Sequence, residues 1–143
     1  MREGTITVSA VIMRNACGHV LMVRKRGTTR FILPGGKPAQ GEDASAAALR
    51  EVREETGVTL APGDLECLGT WEAAAANEAD RRVVGTVFLA RPILPAAPAP
   101  RAEIEQTRWL DPHGPIGDDV AALTREAALP ALRAHLAATA QER

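Results

Sequence analysis

Residues 35–58, GGKPAQGEDASAAALREVREETGV, constrain this chain more than any other stretch. Glycines stand at one end, and three glutamates, Glu51, Glu54 and Glu55, crowd into five residues at the other. From Asp43 to Thr56, residues Ser45, Ala48, Leu49, Val52 and Thr56 recur at helical spacing, which predicts a helix with these side chains on its buried stripe. Asp43 suits the N-cap, because its carboxylate can accept from an otherwise orphaned backbone N–H. Gly57 suits the left-handed residue that ends a helix. At about 100° per residue the glutamates fall within an arc of roughly 100°. Like charges on neighbouring turns repel, so the cluster weakens its own helix unless something compensates it.

Two compensations are open. Water can solvate the acids, with Arg50 and Arg53 as adjacent or i,i+4 partners. Alternatively a cation collects there, and a set of hard carboxylate oxygens suits magnesium or manganese. The context before the helix favours the cation. Gly35-Gly36 follows a short apolar run, FILP, and backbone without a side chain can approach a phosphate or turn a carbonyl toward a metal.

The flanking sequence predicts a single mixed α/β domain over residues 1–143. TITVSAVIM (Thr5–Met13) and HVLMVRKR (His19–Arg26) read as strands joined by a turn. LECLGTWEA and RRVVGTVFLARPI read as strands flanking the loop AAANEAD. LPAAPAPRAE is a loop, IEQTRWL a strand, and Arg125–Ala138 a closing amphipathic helix. A formal net charge of −1 gives no global field for a nucleic-acid duplex or an anionic membrane. No signal segment or membrane span is expected, and the two cysteines, Cys17 and Cys67, read as reduced, small apolar residues. A cytoplasmic location is the expectation, with a homodimer compatible.

Gly36, five residues, Glu42, seven residues, Arg50-Glu51-Val52, one residue, Glu54-Glu55, one residue and Gly57-Val58 match every fixed position of a known signature. In this the chain resembles the Nudix hydrolases, which cleave nucleoside diphosphates linked to another moiety. The likeness extends over nearly the whole chain. It implies an α/β/α sandwich with a mixed β-sheet, hydrolysis of a diphosphate bond, and Mg2+ or Mn2+ as cofactor. By position, Glu51, Glu54 and Glu55 look like metal ligands, with the Gly35 carbonyl a further one. Arg50 looks like the residue that orients a neighbouring glutamate, and Glu42 like the family's outlying, more structural glutamate.

Water attacking phosphorus needs a base. Glu54 is the first choice, with Arg50 one turn away to steady it, and Glu78, Glu103 and Glu105 are the alternatives outside the box. Arg24, Arg26 and Lys37 are candidate phosphate clamps, against the plainer reading of solvated edge charges. Trp71 and Phe31 are better candidates than Trp109 to contact a base, with core packing the default for all three, while Asn77 and Glu78 either read a base or orient water, or sit in a solvated loop. His19, His113 and His135 are assigned no role. Family members that cleave dinucleoside polyphosphates tend to carry a tyrosine beyond the box, and this chain has no tyrosine. Those that cleave ADP-ribose tend to carry a proline where this sequence reads TWEAAAANE. The expected substrate is therefore a nucleoside triphosphate, ordinary or damaged, or a related diphosphate. A nucleotide-sugar or ADP-ribose-type pyrophosphatase is the second reading, and a non-catalytic nucleotide-binding sensor the third.

Overall fold

The computed structural model of the chain describes residues 4–141. Its elements run β1 (Thr5–Asn15), β2 (Val20–Lys25), β3 (Gly35–Gly36), α1 (Ala44–Thr56), β4 (Leu65–Ala74), β5 (Arg82–Leu94), β6 (Ile104–Leu110) and α2 (Leu129–Gln141). The strands form one sheet in the order β4-β5-β1-β2-β6, with β3 paired to β1 off that path. β1 and β5 run parallel and the other pairs antiparallel, so the sheet is mixed.

A strand buried on both faces reads as a continuous apolar run, and the stretch AVIM in β1 is one. Ala10 and Ile12 pack with Val20, Met22, Val87 and Leu89 against Leu129 and Leu132 of α2. Val11 and Met13, on the opposite face, pack with Leu21, Phe88 and Ala90 against Ala48 and Val52 of α1. The result is the expected helix–sheet–helix layering. Among the described residues, no helix is long and apolar enough to cross a membrane.

α1 begins and ends where its caps dictate. Asp43 Oδ1 accepts from the Ala46 N–H at 2.8 Å, and Gly57, at φ 75°, donates its N–H to the Arg53 carbonyl. Its buried face is Ala47, Ala48, Val52, Glu55 and Thr56, while Ser45 and Leu49 are only half-buried. The stripe is rotated toward the acids, because small alanines let the helix lie close to the sheet and Glu55 is drawn beneath Gly35.

Three further expectations are corrected. β2 ends at Lys25, leaving Arg26 outside the strand. Residues Thr124–Ala128 wind as a π-helix before α2, which starts later than Arg125 and extends past Ala138. Cys17 and Cys67 are free thiols but exposed, so neither fills an apolar gap.

β3 is short because it has one task, to seat Gly35 and Gly36 against Ala10 and Ser9 of β1. Gly35 holds φ 152°, and a Cβ there would overlap the Ser9 carbonyl oxygen. Gly35→Ala should therefore cost at least ~2 kcal/mol in urea unfolding, whereas Gly63→Ala, which meets open space, should change stability by under ~0.5 kcal/mol. Equal stability of the two variants would contradict this close backbone packing.

Candidate active site

Arg50 organises the acids. Its Nε and Nη2 donate to the two carboxylate oxygens of Glu42 at 2.7 and 2.9 Å, a bidentate fork. Nη1 donates to Glu51 at 2.6 Å and lies 3.3 Å from Glu54, and Nη2 also reaches the Lys37 carbonyl at 3.2 Å. One guanidinium thus ties together three glutamates and the loop leading into α1. The bond from Arg50, with one from the Ala39 N–H, holds the Glu42 carboxyl at about 2, and the Glu42 and Glu51 bonds push the Arg50 pKa further up.

Glu55 is a different kind of acid. It is 1% exposed, its Oε1 accepts from the Gly35 N–H at 3.0 Å, and its Oε2 is buried without a hydrogen-bond partner. Burial pushes its pKa up to about 8, with repulsion from Glu51 and Glu103 adding to the rise and the Gly35 N–H opposing it. Glu51 approaches from the adjacent turn. It comes so near Gly36 that a Cβ there would strike its carboxylate.

Glu103 completes the group. Carboxylate oxygens of Glu51, Glu55 and Glu103 lie within 4.8 Å of one another. Such convergence, with one buried oxygen orphaned, fits a hard divalent cation. Glu54 stands outside this trio, half exposed and held by Arg50. Glu103 arrives by way of β6. The Arg26 N–H donates to the Glu103 carbonyl at 2.8 Å, and Ala102, at φ 54°, turns the chain just before it.

The acids border a cleft of about 510 Å3. Lys25, Lys37, Arg50, Glu51 and Glu103 line its charged end, and Ile6, Val8, Val83 and Leu123 its apolar end. Lys37 is where the sequence expected a cation, but Arg24 and Arg26 lie outside the cleft lining. A break in β2–β6 register between Arg24 and Lys25 explains why. Arg24 turns to Gln106, Arg26 donates to the Ala102 carbonyl, and Lys25, not singled out from sequence, enters the cleft with its Nζ 3.8 Å from Glu103. Glu105 faces Arg24 instead.

Phe31 is buried in the core under the Arg108 guanidinium, 4.0 Å from its ring centroid, and Trp71 packs against core clusters, so neither aromatic lines the cleft. Trp109 packs on the α1-side core as expected. Asn77 and Glu78 do line the cleft, from the β4–β5 loop.

The NUDIX domain family model matches residues 4–130, and the chain belongs to that family. The MutT protein of Methanosarcina mazei superposes with a TM-score of 0.74 at 24% identity, covering 94% of this chain and 98% of that one. A MutT Nudix hydrolase of Burkholderia pseudomallei gives 0.72 at 22%, covering 90% and 98%. At these identities the likeness establishes the fold. A Bacillus subtilis protein named "Putative 8-oxo-dGTP diphosphatase" is 41% identical over 51 residues, which are 36% of this chain and 34% of that protein. The alignment thus spans about a third of that relative's length.

The buried acid makes a prediction for the metal-free protein. Between the ordinary value of 4.5 and about 8, folded Glu55 keeps a proton that the unfolded chain has lost, so stability should fall as pH rises through that window. Thermal unfolding in chelator should lose several degrees from pH 5 to pH 8, and Glu55→Gln should flatten that slope. An unchanged slope in the variant would place the titration elsewhere.

Proposed function

We propose that the protein hydrolyses a phosphoanhydride bond of a nucleoside triphosphate, ordinary or damaged, or of a related nucleoside diphosphate derivative, by attack of water at phosphorus. The observation that carries this reading is the convergence of Glu51, Glu55 and Glu103 within 4.8 Å at the charged end of a cleft whose other end is apolar. A substrate with an anionic chain and an organic body matches both ends. The name of the Bacillus subtilis relative supports a nucleoside triphosphate.

In this reading Glu51 and Glu55, joined by Glu54 from the next turn and by the Gly35 carbonyl, would hold Mg2+ or Mn2+, and Glu103, the third member of the converging group, would face the ion without ligating it, so that its carboxylate stays free to take a proton. A bound divalent cation supplies neutralisation of the diphosphate and polarisation of the attacked phosphorus. Lys25 and Lys37 line the cleft from separate elements and add positive charge for the phosphate oxygens. Arg50 is committed to carboxylates, so its work is to fix them rather than to bind substrate.

Proton removal is assigned to Glu103 in preference to Glu54. Glu103 lines the cleft and is half exposed, whereas Glu54 is outside the lining and tied to Arg50. Water oxygen bonds to phosphorus, the bridging P–O bond breaks, and the water proton passes to the Glu103 carboxylate.

Hydrolysis in water enriched in heavy oxygen should put the label in a phosphate product. At saturating Mn2+, Glu103→Gln should lower kcat by 10²–10⁴, roughly the range for removal of a base, and Glu54→Gln should regain much of its rate as metal is raised. Recovery of Glu103→Gln with metal, together with a metal-independent loss in Glu54→Gln, would return the role to Glu54. Activity that survives chelator would overturn the proposed function itself.

A further inference from the structure

The apolar end of the cleft has few groups able to read a base. Ile6, Val8, Val83 and Leu123 offer only shape. Ser9 Oγ donates to the Ala44 carbonyl at 2.6 Å and Thr28 Oγ1 to the Lys25 carbonyl at 2.7 Å, so both hydroxyl protons are committed, and the third lining hydroxyl belongs to Thr124, which is 2% exposed. Asn77 is placed differently. Its Oδ1 accepts from the backbone N–H of Arg30 at 3.2 Å. An N–H can be met only by the amide oxygen, so this bond fixes which way the amide points and leaves its NH2 as a donor without a protein partner among the described residues.

Asn77 is also held in place. The Arg30 guanidinium donates to the Ala76 carbonyl at 2.8 Å and to the Asp118 carbonyl at 3.2 Å, tying the Asn77 loop to the loop that carries Asp118. The Ala75 N–H donates to the Arg81 carbonyl and closes the Asn77 loop from its other end. A donor fixed by its own backbone neighbour discriminates, because turning it to present an acceptor would leave the Arg30 N–H facing another donor. Glu78, the next residue on the same lining, contributes a carboxylate that can only accept.

Resting on the nucleotide reading above, we propose that Asn77 is the base-selecting residue. Its amide NH2 donates to the keto oxygen of the base, and Glu78 accepts from the ring N–H that stands beside that oxygen. The substrate class is then nucleoside triphosphates with keto bases, of the guanine, hypoxanthine or uracil type. Bases that carry an amino group at that position would turn a donor toward the Asn77 donor. A site built to hydrogen-bond one group rejects the mismatched analogue through the unpaired polar groups that result.

Inosine and adenosine triphosphates test this most cleanly, since their bases differ only in whether the six-membered ring carries a keto oxygen with an adjacent N–H or an amino group with an adjacent bare nitrogen. Wild type should favour the inosine substrate in kcat/KM by at least about tenfold. Asn77→Asp keeps an oxygen for the Arg30 N–H and exchanges the presented donor for an acceptor, so it should bring the ratio below one. Asn77→Ala should bring the ratio close to one with either substrate still cleaved. A loop that was merely structural would lower both rates together and leave the ratio alone. Cleavage of both substrates with a wild-type ratio near one, or a ratio unchanged in both variants, would overturn the assignment while leaving the proposed function standing. Failure to cleave any nucleoside triphosphate, with another diphosphate hydrolysed, would overturn the nucleotide reading and this inference with it.

Discussion

The guanidinium of Arg50 is the contact on which the site depends. Four glutamates, Glu42, Glu51, Glu54 and Glu55, sit on or beside one helix, and Arg50 bonds three of them. A planar fork can meet both oxygens of Glu42 and still turn its remaining N–H groups to Glu51 and Glu54, which a lysine ammonium at the same place could not do with fixed geometry. The bond to the Lys37 carbonyl extends this order into the loop before α1. The helix tolerates its own charge, and the carboxylates are fixed before any ligand arrives.

Glu55 is the acid that Arg50 leaves out, and its surroundings follow from the glycine pair. Gly35 gives it a backbone N–H, and Gly36 gives Glu51 the space a side chain would occupy. Both glycines are seated by β1, whose central residues are buried on both faces by the two helices. Core packing therefore fixes the backbone that fixes the acids. What remains uncompensated is one buried carboxylate oxygen beside two further carboxylates, and a cation is the group that offsets all three.

Local features of this site were legible from sequence, and long-range ones were not. Asp43, Gly57 and the spacing of the acids are consequences of helical geometry, which the sequence carries directly. Glu55 was legible as an acid on the helix but not as a buried one, because periodicity placed Ser45 and Leu49 on the stripe and could not report how α1 is rolled on the sheet. Glu103 was named as an alternative base but not as a neighbour of Glu51 and Glu55, because it lies far along the chain and reaches them only through β2–β6 pairing and a left-handed turn at Ala102, where no glycine signals it. Lys25 was missed for a related reason: strict alternation predicts the direction of Arg24 and Arg26, and a register break defeats alternation. Phe31 and Trp71 flank the cleft in sequence, and the default of core packing is the one the structure follows: Phe31 is buried and Trp71 lies half-buried against the core, because burying a ring removes more apolar surface from water than a place on the cleft wall would.

The central claim is that this carboxylate group binds a divalent cation, and titration of Mn2+ into the nucleotide-free protein, followed by the loss of the free-ion paramagnetic resonance signal, tests it directly. The account predicts saturable binding by the wild type, weakened at least about tenfold in Glu51→Gln and in Glu55→Gln, and unchanged in Glu126→Gln on the π-helical turn. Equal Mn2+ affinity in all four proteins, or weakening by Glu126→Gln as large as that by Glu55→Gln, would contradict it.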